Sequence, residues 1–147
     1  MTRLRVISEA VQGGQPTAEQ QAEMASIVQN SGLAIERFNA ISAAVSADPV
    51  LQARTAVAGA TPSAAGSVGA SVTDAEAGQF ADAMAKVSVI AQALNGAQPT
   101  AEQQAEMAAA IQGAGLELER FNAISGAVSQ DEHLRARIAL AAAQAGA

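Results

Sequence analysis

The ten residues QPTAEQQAEM occur twice in this chain, at Gln15–Met24 and again at Gln98–Met107. In both places a threonine stands three residues before a glutamine, which is the T-x-x-Q pattern of a capping box at a helix start. A shift of 83 residues aligns residues 15–58 with residues 98–141, and 30 of the 44 aligned positions are identical. The sequence therefore predicts one helical unit that is present in two tandem copies.

The pattern after each capping box predicts further helices. Gly32 and Gly115 are expected to end the helix that begins at each capping box, in the left-handed conformation. The helix that follows has apolar residues at spacings of three and four, namely Phe38, Ile41 and Val45 in copy one and Phe121, Ile124 and Val128 in copy two. Asp48 and Asp131 then stand at the cap position of a last helix.

A longer helix is predicted ahead of the second capping box, from about Asp74 to Leu94, with Phe80, Met84 and Val87 along one face. Carried backwards, the 83-residue shift aligns Met1 with Met84, so copy one has no counterpart of Phe80. Two explanations stay open. The sequence starts downstream of the ancestral start, or something else supplies the missing turn.

Composition limits the classes of fold and function. Of the 147 residues 39 are alanine, and aromatic residues make up 2%; alanine is the best helix former and gives little support to a sheet. Cysteine is absent, so disulfides and thiolate chemistry are excluded. The net charge of −6 argues against nucleic acid as a partner. We expect neither a membrane span nor a signal peptide within this chain.

The predicted fold is all-α, with two tandem helical-bundle repeats of three to four helices each, packed with pseudo-two-fold symmetry. The predicted domains are repeat one at residues 1–58, with a truncated first helix, and repeat two at residues 74–147. The glycine-rich stretch between them, residues 59–73, is predicted to be a flexible linker.

Several of these motifs resemble a bacterial family of small helical proteins classed as a domain of unknown function. They are the Gly-Leu turn and Phe-Asn-x-Ile helix of GLxxERFNAIS at Gly32–Ser42, the ending D-x-x-L-x-A-R with Asp48, Leu51 and Arg54, and the opening Phe80–Ala83. Family members carry a threonine or serine cap after the Gly-Leu turn, where this chain has Ala34 and Glu117. The resemblance implies an all-α unit, often exported to the periplasm or envelope, with no catalytic residues to transfer.

Few residues qualify as candidates for chemistry. His133 is the single histidine, and we interpret it as a surface residue and not as the centre of a catalytic triad. Glu19 and Glu23 share a helix face, as their copies in repeat two do, but a two-metal bundle site also requires histidines that this chain lacks. We therefore predict no catalytic residue, no metal site and no cofactor.

The four arginines kept in both copies are the candidate partner contacts: Arg37, Arg54, Arg120 and Arg137. Pairing with acids of a neighbouring helix is the alternative for each of them. The resulting hypothesis is a non-enzymatic structural or protein-interaction module whose partner is a protein, either a second copy in a homodimer or another chain. The alternative hypothesis is a carrier that holds a small apolar ligand between alanine-lined helices.

Overall fold

The computed structural model describes residues 17–94 and 98–146. The predicted truncated first helix of copy one lies outside these residues. The described residues form helices and contain no strand, which confirms the all-α class. The helices are α1 Ala18–Asn30, α2 Ile35–Ala47, α3 Pro49–Gly59, α4 Val68–Ser71, α5 Asp74–Ala93, α6 Ala101–Gly113, α7 Leu118–Val128 and α8 Glu132–Ala145.

The chain divides into two compact units, Met1–Gln52 and Ala53–Ala147. The boundary falls within α3, six residues before the predicted end of repeat one at residue 58. A continuous helix carries the chain across this boundary, so the sequence repeat and the compact unit end at different residues. The pseudo-two-fold packing of the repeats stays a prediction.

Both predicted capping boxes are present. In α1 the Thr17 side chain accepts a bond from the Gln20 backbone N–H at 3.3 Å, and the Gln20 side chain accepts one from the Thr17 N–H at 2.9 Å. The start of α6 repeats these two bonds between Thr100 and Gln103. Each box satisfies two donors that a helix start leaves unpaired.

The predicted glycine turns are confirmed as well. Gly32 and Gly115 have φ angles of 78° and 89°, a conformation that glycine adopts without steric cost. After α6 the Gly115 N–H donates to the Gln112 carbonyl at 2.9 Å and the Leu116 N–H to the Ile111 carbonyl at 3.3 Å. This pair of bonds is a Schellman motif, and it turns Leu116 back into the core, where it is buried.

The helix that follows each glycine turn begins without a side-chain cap. Ala34 and Glu117 occupy the cap positions of α2 and α7, and neither side chain accepts a capping bond, as expected from their departure from the family pattern. The last helices are capped by Asp48 and Asp131, as predicted; Asp131 accepts from the Leu134 N–H at 2.9 Å.

In the second unit α5 packs against α6 and α8, and the short helix α4 packs against α7 and α8. The face of α5 that enters the core carries Ala77, Phe80 and Ala83, with Val87 packed beside it. The prediction that Met84 lies on this face was wrong, because its side chain is 42% exposed. The buried cluster contains Val72, Ala77, Phe80, Ala83, Ile111, Leu116, Phe121, Ile124 and Leu134.

The segment predicted to be a flexible linker has structure in its second half. Helix α4 is capped by the Ser67 side chain, and the following Val72 is 3% exposed in the core of the second unit. Nearer its start, the Ser63 hydroxyl donates to Asp131 Oδ1 at 3.0 Å. The apolar Val68 and Val72 explain this difference, since burying them against α7 and α8 favours one docked conformation over a free coil.

Gly69 provides a direct test of that docking. A Cβ at Gly69 would collide with Oδ2 of Asp131, whose side chain caps α8. We expect Gly69→Ala to displace that carboxylate and to lower the free energy of unfolding by about 1–2 kcal/mol, the usual cost of a lost cap. The midpoint of urea unfolding, followed by far-ultraviolet circular dichroism, measures this loss.

The matched control is Gly126→Ala in α7, where a Cβ meets no atom within 4 Å and where copy one already has Ala43. This variant should gain about 0.5–1 kcal/mol because alanine favours a helix over glycine. If Gly69→Ala were as stable as Gly126→Ala, close docking of α4 on Asp131 would be disproved.

Candidate functional site

Arg120, near the start of α7, forms a two-bond ion pair with Glu76 in the first turn of α5. Its Nε donates to Glu76 Oε1 at 2.7 Å and its Nη2 to Oε2 at 3.2 Å, and the same Nη2 donates to the Ser71 carbonyl at 3.3 Å. The Arg120 and Glu76 side chains are 30% and 25% exposed. A two-bond, partly buried pair of this kind fixes direction as well as distance, so it sets how α5 lies on α7.

Glu76 also belongs to a capping box at the start of α5. The Thr73 N–H donates to Glu76 Oε2 at 2.9 Å, and the Glu76 N–H donates to the Thr73 hydroxyl at 3.1 Å. The Arg120 hydrogen bonds, followed by the bond from the Thr73 N–H, lower the pKa of Glu76 from 4.5 to about 2. The charged form of Glu76 is therefore the one that both contacts stabilise.

Arg137 in α8 holds the residues just before and at the start of α5. Its Nη1 donates to the Val72 carbonyl at 2.9 Å and its Nε to Asp74 Oδ1 at 3.0 Å. The Asp74 side chain is 93% exposed, so solvent screens this ion pair and its contribution to stability is small. The bond to the carbonyl of buried Val72 is the positional restraint.

Aromatic stacking completes the contact between α5 and α7. The rings of Phe80 and Phe121 lie 4.9 Å apart between centroids, with 29° between their planes. Phe80 is 4% and Phe121 8% exposed, and Ile124, one turn further along α7, is fully buried. The first half of α5 thus reaches α7 through side chains, with a salt bridge at one end and a ring stack beyond it, while α4, α6 and α8 pack along α7.

The first unit carries the same face on α2, and its described residues provide neither of these two contacts there. The heptapeptide ERFNAIS is identical at residues 36–42 and 119–125. Ile41 is nevertheless 38% exposed where Ile124 is 0% exposed, and Phe38 is only half-buried. We call Arg37, Phe38, Ile41 and Val45 the open face of α2.

Arg37 lies exposed on the open face, four residues before Ile41, so the two side chains are neighbours on the helix surface. Within residues 17–94 and 98–146 it forms no hydrogen bond and no ion pair. Its counterpart Arg120 differs from it by the two bonds to Glu76.

Arg54 is exposed in α3, within the second unit, and it too has no ion pair to any described residue. Among the four candidate arginines, Arg120 and Arg137 thus pair within the second unit, and Arg37 and Arg54 do not pair within the described residues. The role of all four as partner contacts stays a prediction.

Sequence reasoning missed the partners of Arg120 and Arg137. The signal for one of them was present, because Thr73-Asp74-Ala75-Glu76 is a T-x-x-E capping box of the kind recognised at Thr17 and Thr100. That motif places Glu76 at a helix start. It does not say which arginine lies opposite, since Arg120 is 44 residues away along the chain.

The candidates for chemistry are not assembled into a site in the described part of the chain. His133 is half-buried and contacts the Asp131 carboxylate through its backbone N–H, and Ser63 donates directly to Asp131 with no imidazole between them. Glu19, Glu23, Glu102 and Glu106 are exposed. Among the described residues no three histidine, aspartate or glutamate side chains are grouped to hold a metal ion.

No helix in residues 17–94 and 98–146 has both the length and the apolar character needed to cross a bilayer.

Comparison with known families identifies the repeated unit. The sequence profile of a domain of unknown function, DUF4168, matches residues 6–55 and again residues 94–138, well over half of the chain. The chain belongs to the DUF4168 family. The two matches confirm the predicted tandem duplication of a family domain, although the DUF4168 match to the second copy begins after the Phe80–Ala83 motif. No curated protein and no solved structure matches the chain.

Matched substitutions in the two copies test the pairing of Arg120. Arg120→Met should lower the free energy of unfolding by about 1–2 kcal/mol because it removes charge-assisted bonds and leaves Glu76 partly buried without its cation. Arg37→Met, the same change at the matched position, should stay within about 0.5 kcal/mol of the parent. Urea unfolding of both variants measures the two changes in the free energy of unfolding. Equal decreases would show that Arg37 has a stabilising partner of its own.

The Glu76 ion pair also predicts a pH dependence. A carboxylate whose pKa is depressed on folding adds stability above its unfolded value near 4.5, and this stability is lost as the pH falls through about 2. Glu76→Gln should therefore be less stable than the parent at pH 7, with a difference that shrinks between pH 4.5 and pH 2. Urea midpoints of both proteins at several pH values give this difference. A difference that is constant over this range would mean that Glu76 acts only through its shape.

Proposed function

We propose that this protein is a non-enzymatic helical module that binds another protein chain through the open face of α2. The observation that most supports this proposal is the difference between the matched isoleucines. Ile41 is 38% exposed, and Ile124 is fully buried. The two helices have the same residues on this face, so the difference reflects what covers them. A face that is core in one copy and exposed in the other has the composition of a buried interface.

The chemistry of the open face fits protein recognition. Its centre is apolar, with Phe38 and Ile41, and Arg37 stands beside them with no acidic partner among residues 17–94 and 98–146. Interfaces combine an apolar core with a polar rim and are enriched in arginine and aromatic residues. Ile35, 42% exposed at the start of α2, adds further apolar surface in the same unit.

A catalytic role has less support. The backbone N–H of His133 contacts Asp131, but no hydrogen bond to a described residue orients its imidazole, and a general base requires both a fixed orientation and a nucleophile within reach. Asp131 is committed to the cap of α8, where the Leu134 N–H and then the Ser63 hydroxyl lower its pKa.

The carrier hypothesis also has less support than protein binding. It requires an internal cavity between alanine-lined helices, but Ala77 and Ala83 are in direct contact with the buried cluster of the second unit. The cleft of about 550 Å³ near Gly69 and Ala127 opens to solvent, and Asp131 and Glu132 are among its lining residues. Small side chains here bring helices together and do not enclose a ligand.

Site-specific photocrosslinking tests the proposal. A benzophenone amino acid at position 41, used in the cell that makes the protein, should give a discrete protein adduct. The same label at Val89, an exposed residue of α5 (69%), should give none. Because Arg37 lies beside position 41, adding Arg37→Met should reduce the adduct several-fold.

Adducts at position 41 of a mass corresponding to a second copy would identify a homodimer, and adducts of another mass a different protein. Both outcomes support the proposed function. Small-molecule or lipid adducts in place of protein would favour the carrier, and an absence of any adduct specific to position 41 would contradict protein binding through this face.

A further inference from the structure

We propose that the open face of α2 binds a helix start of the kind that residues 72–83 provide, carried by a partner protein. The recognised segment has an apolar residue, a capping-box threonine, a glutamate three residues after it and a phenylalanine seven residues after it, as in Val72, Thr73, Glu76 and Phe80. This inference rests on the proposed function, to which it adds the chemical class of the partner.

The second unit shows how such a segment is held. There the ERFNAIS face of α7 binds Glu76 through Arg120 at 2.7 and 3.2 Å, and it stacks Phe121 on Phe80 at 4.9 Å. Because α2 has the same seven residues in the same order, Arg37 and Phe38 present the same donor and ring at the same helical spacing. Identical groups at matched positions of a helix favour the same ligand chemistry.

The glycine turns agree with an uncovered face in the first unit. At Gly115 the Gln79 side chain of α5 lies so close that a Cβ would come within 2.7 Å of its amide nitrogen. At Gly32, the matched turn, a Cβ would meet no atom within 4 Å. The space that Gln79 fills beside Gly115 thus has no described residue in it beside Gly32.

An exchange of residues 72–83 between two copies of this chain cannot fill the open face of α2 without uncovering another face. Residues 1–147 contain two ERFNAIS faces, but Phe80 is the one phenylalanine outside them. If a second copy inserted its residues 72–83 into the first unit, its own α7 would lose its cover. Exchange of residues 72–83 between copies therefore leaves as many faces uncovered as before, which favours a segment carried by a different protein over a second copy.

The protein's own segment does not compete for the open face. Residues 72–83 are joined covalently to the unit that they cover, and a tethered ligand has an effective concentration in the millimolar range. The segment is also restrained by Arg137 through the Val72 carbonyl. A free peptide of the same sequence thus finds the face of α7 already occupied by residues 72–83 and has only the open face of α2 to bind.

A synthetic peptide of residues 67–87, acetylated and amidated, is the probe. We expect it to bind the full chain at a ratio of one to one, measured by fluorescence anisotropy of the labelled peptide. Amide shifts of the ¹⁵N-labelled protein should move in α2 and not in α7. Peptides with Glu76→Gln or Phe80→Ala should each bind at least about tenfold more weakly than the parent peptide, because each loses one of the two contacts.

Protein variants locate the binding face. Arg37→Met should weaken binding of the parent peptide about tenfold, and Ile41→Glu, at an exposed position that the fold tolerates, should abolish it. Lys86→Met is the matched control, since it removes one exposed cation from the second unit, and it should leave the affinity unchanged. Circular dichroism of every variant reports whether its helices remain intact.

Three outcomes would overturn the inference: no saturable binding up to about 1 mM, shifts confined to α7, or equal losses in Arg37→Met and Lys86→Met. Reversible dimerisation of the chain that buries position 41 and blocks the peptide would overturn it as well. A protein crosslink from position 41 without peptide binding would leave the proposed function in place and remove this inference alone, so the two failures are distinguishable.

Discussion

The ion pair between Glu76 and Arg120 and the ring stack beside it join α5 to α7, while α5 packs along its length on α6 and α8. Glu76 caps α5 and at the same time accepts two bonds from Arg120, so starting the helix and docking it stabilise the same charged carboxylate. Four residues later Phe80 stacks on Phe121 and helps to exclude water from Ile124. Polar bonds at the end of the contact give it direction, and apolar burial beyond them gives it most of its energy.

Duplication makes the effect of that contact visible within one chain. The helix face ERFNAIS is the same in α2 and α7, yet Ile41 is 38% exposed and Ile124 is completely buried. Local sequence forms the helix in both places. Burial depends on a second element, which the first unit lacks among its described residues. The uncovered copy therefore retains an apolar patch with an arginine beside it, and this patch is the basis of the proposed role in protein binding.

The abundance of alanine determines how close the helices come. Ala77 and Ala83 are at most 1% exposed, and Gly69 lets α4 approach the carboxylate of Asp131 more closely than any side chain would allow. Small residues contribute little apolar area each, so a unit of this size has a small core. Such a core loses a large share of its stability when one covering element is absent, which makes an uncovered face a natural place for a partner to bind.

The sequence by itself determined the features that depend on neighbours three to five residues apart: the capping boxes at Thr17 and Thr100, the left-handed glycines, and the alternation of apolar faces along each helix. Hydrogen bonds within one turn fix these features, so local pattern is sufficient to predict them. Tertiary structure alone decided the pairing of Arg120 with Glu76, the burial of Val72 in a segment predicted to be flexible, and the exposure of Met84. These depend on which helix faces meet, and helices distant in sequence can meet in more than one register until their side chains pack.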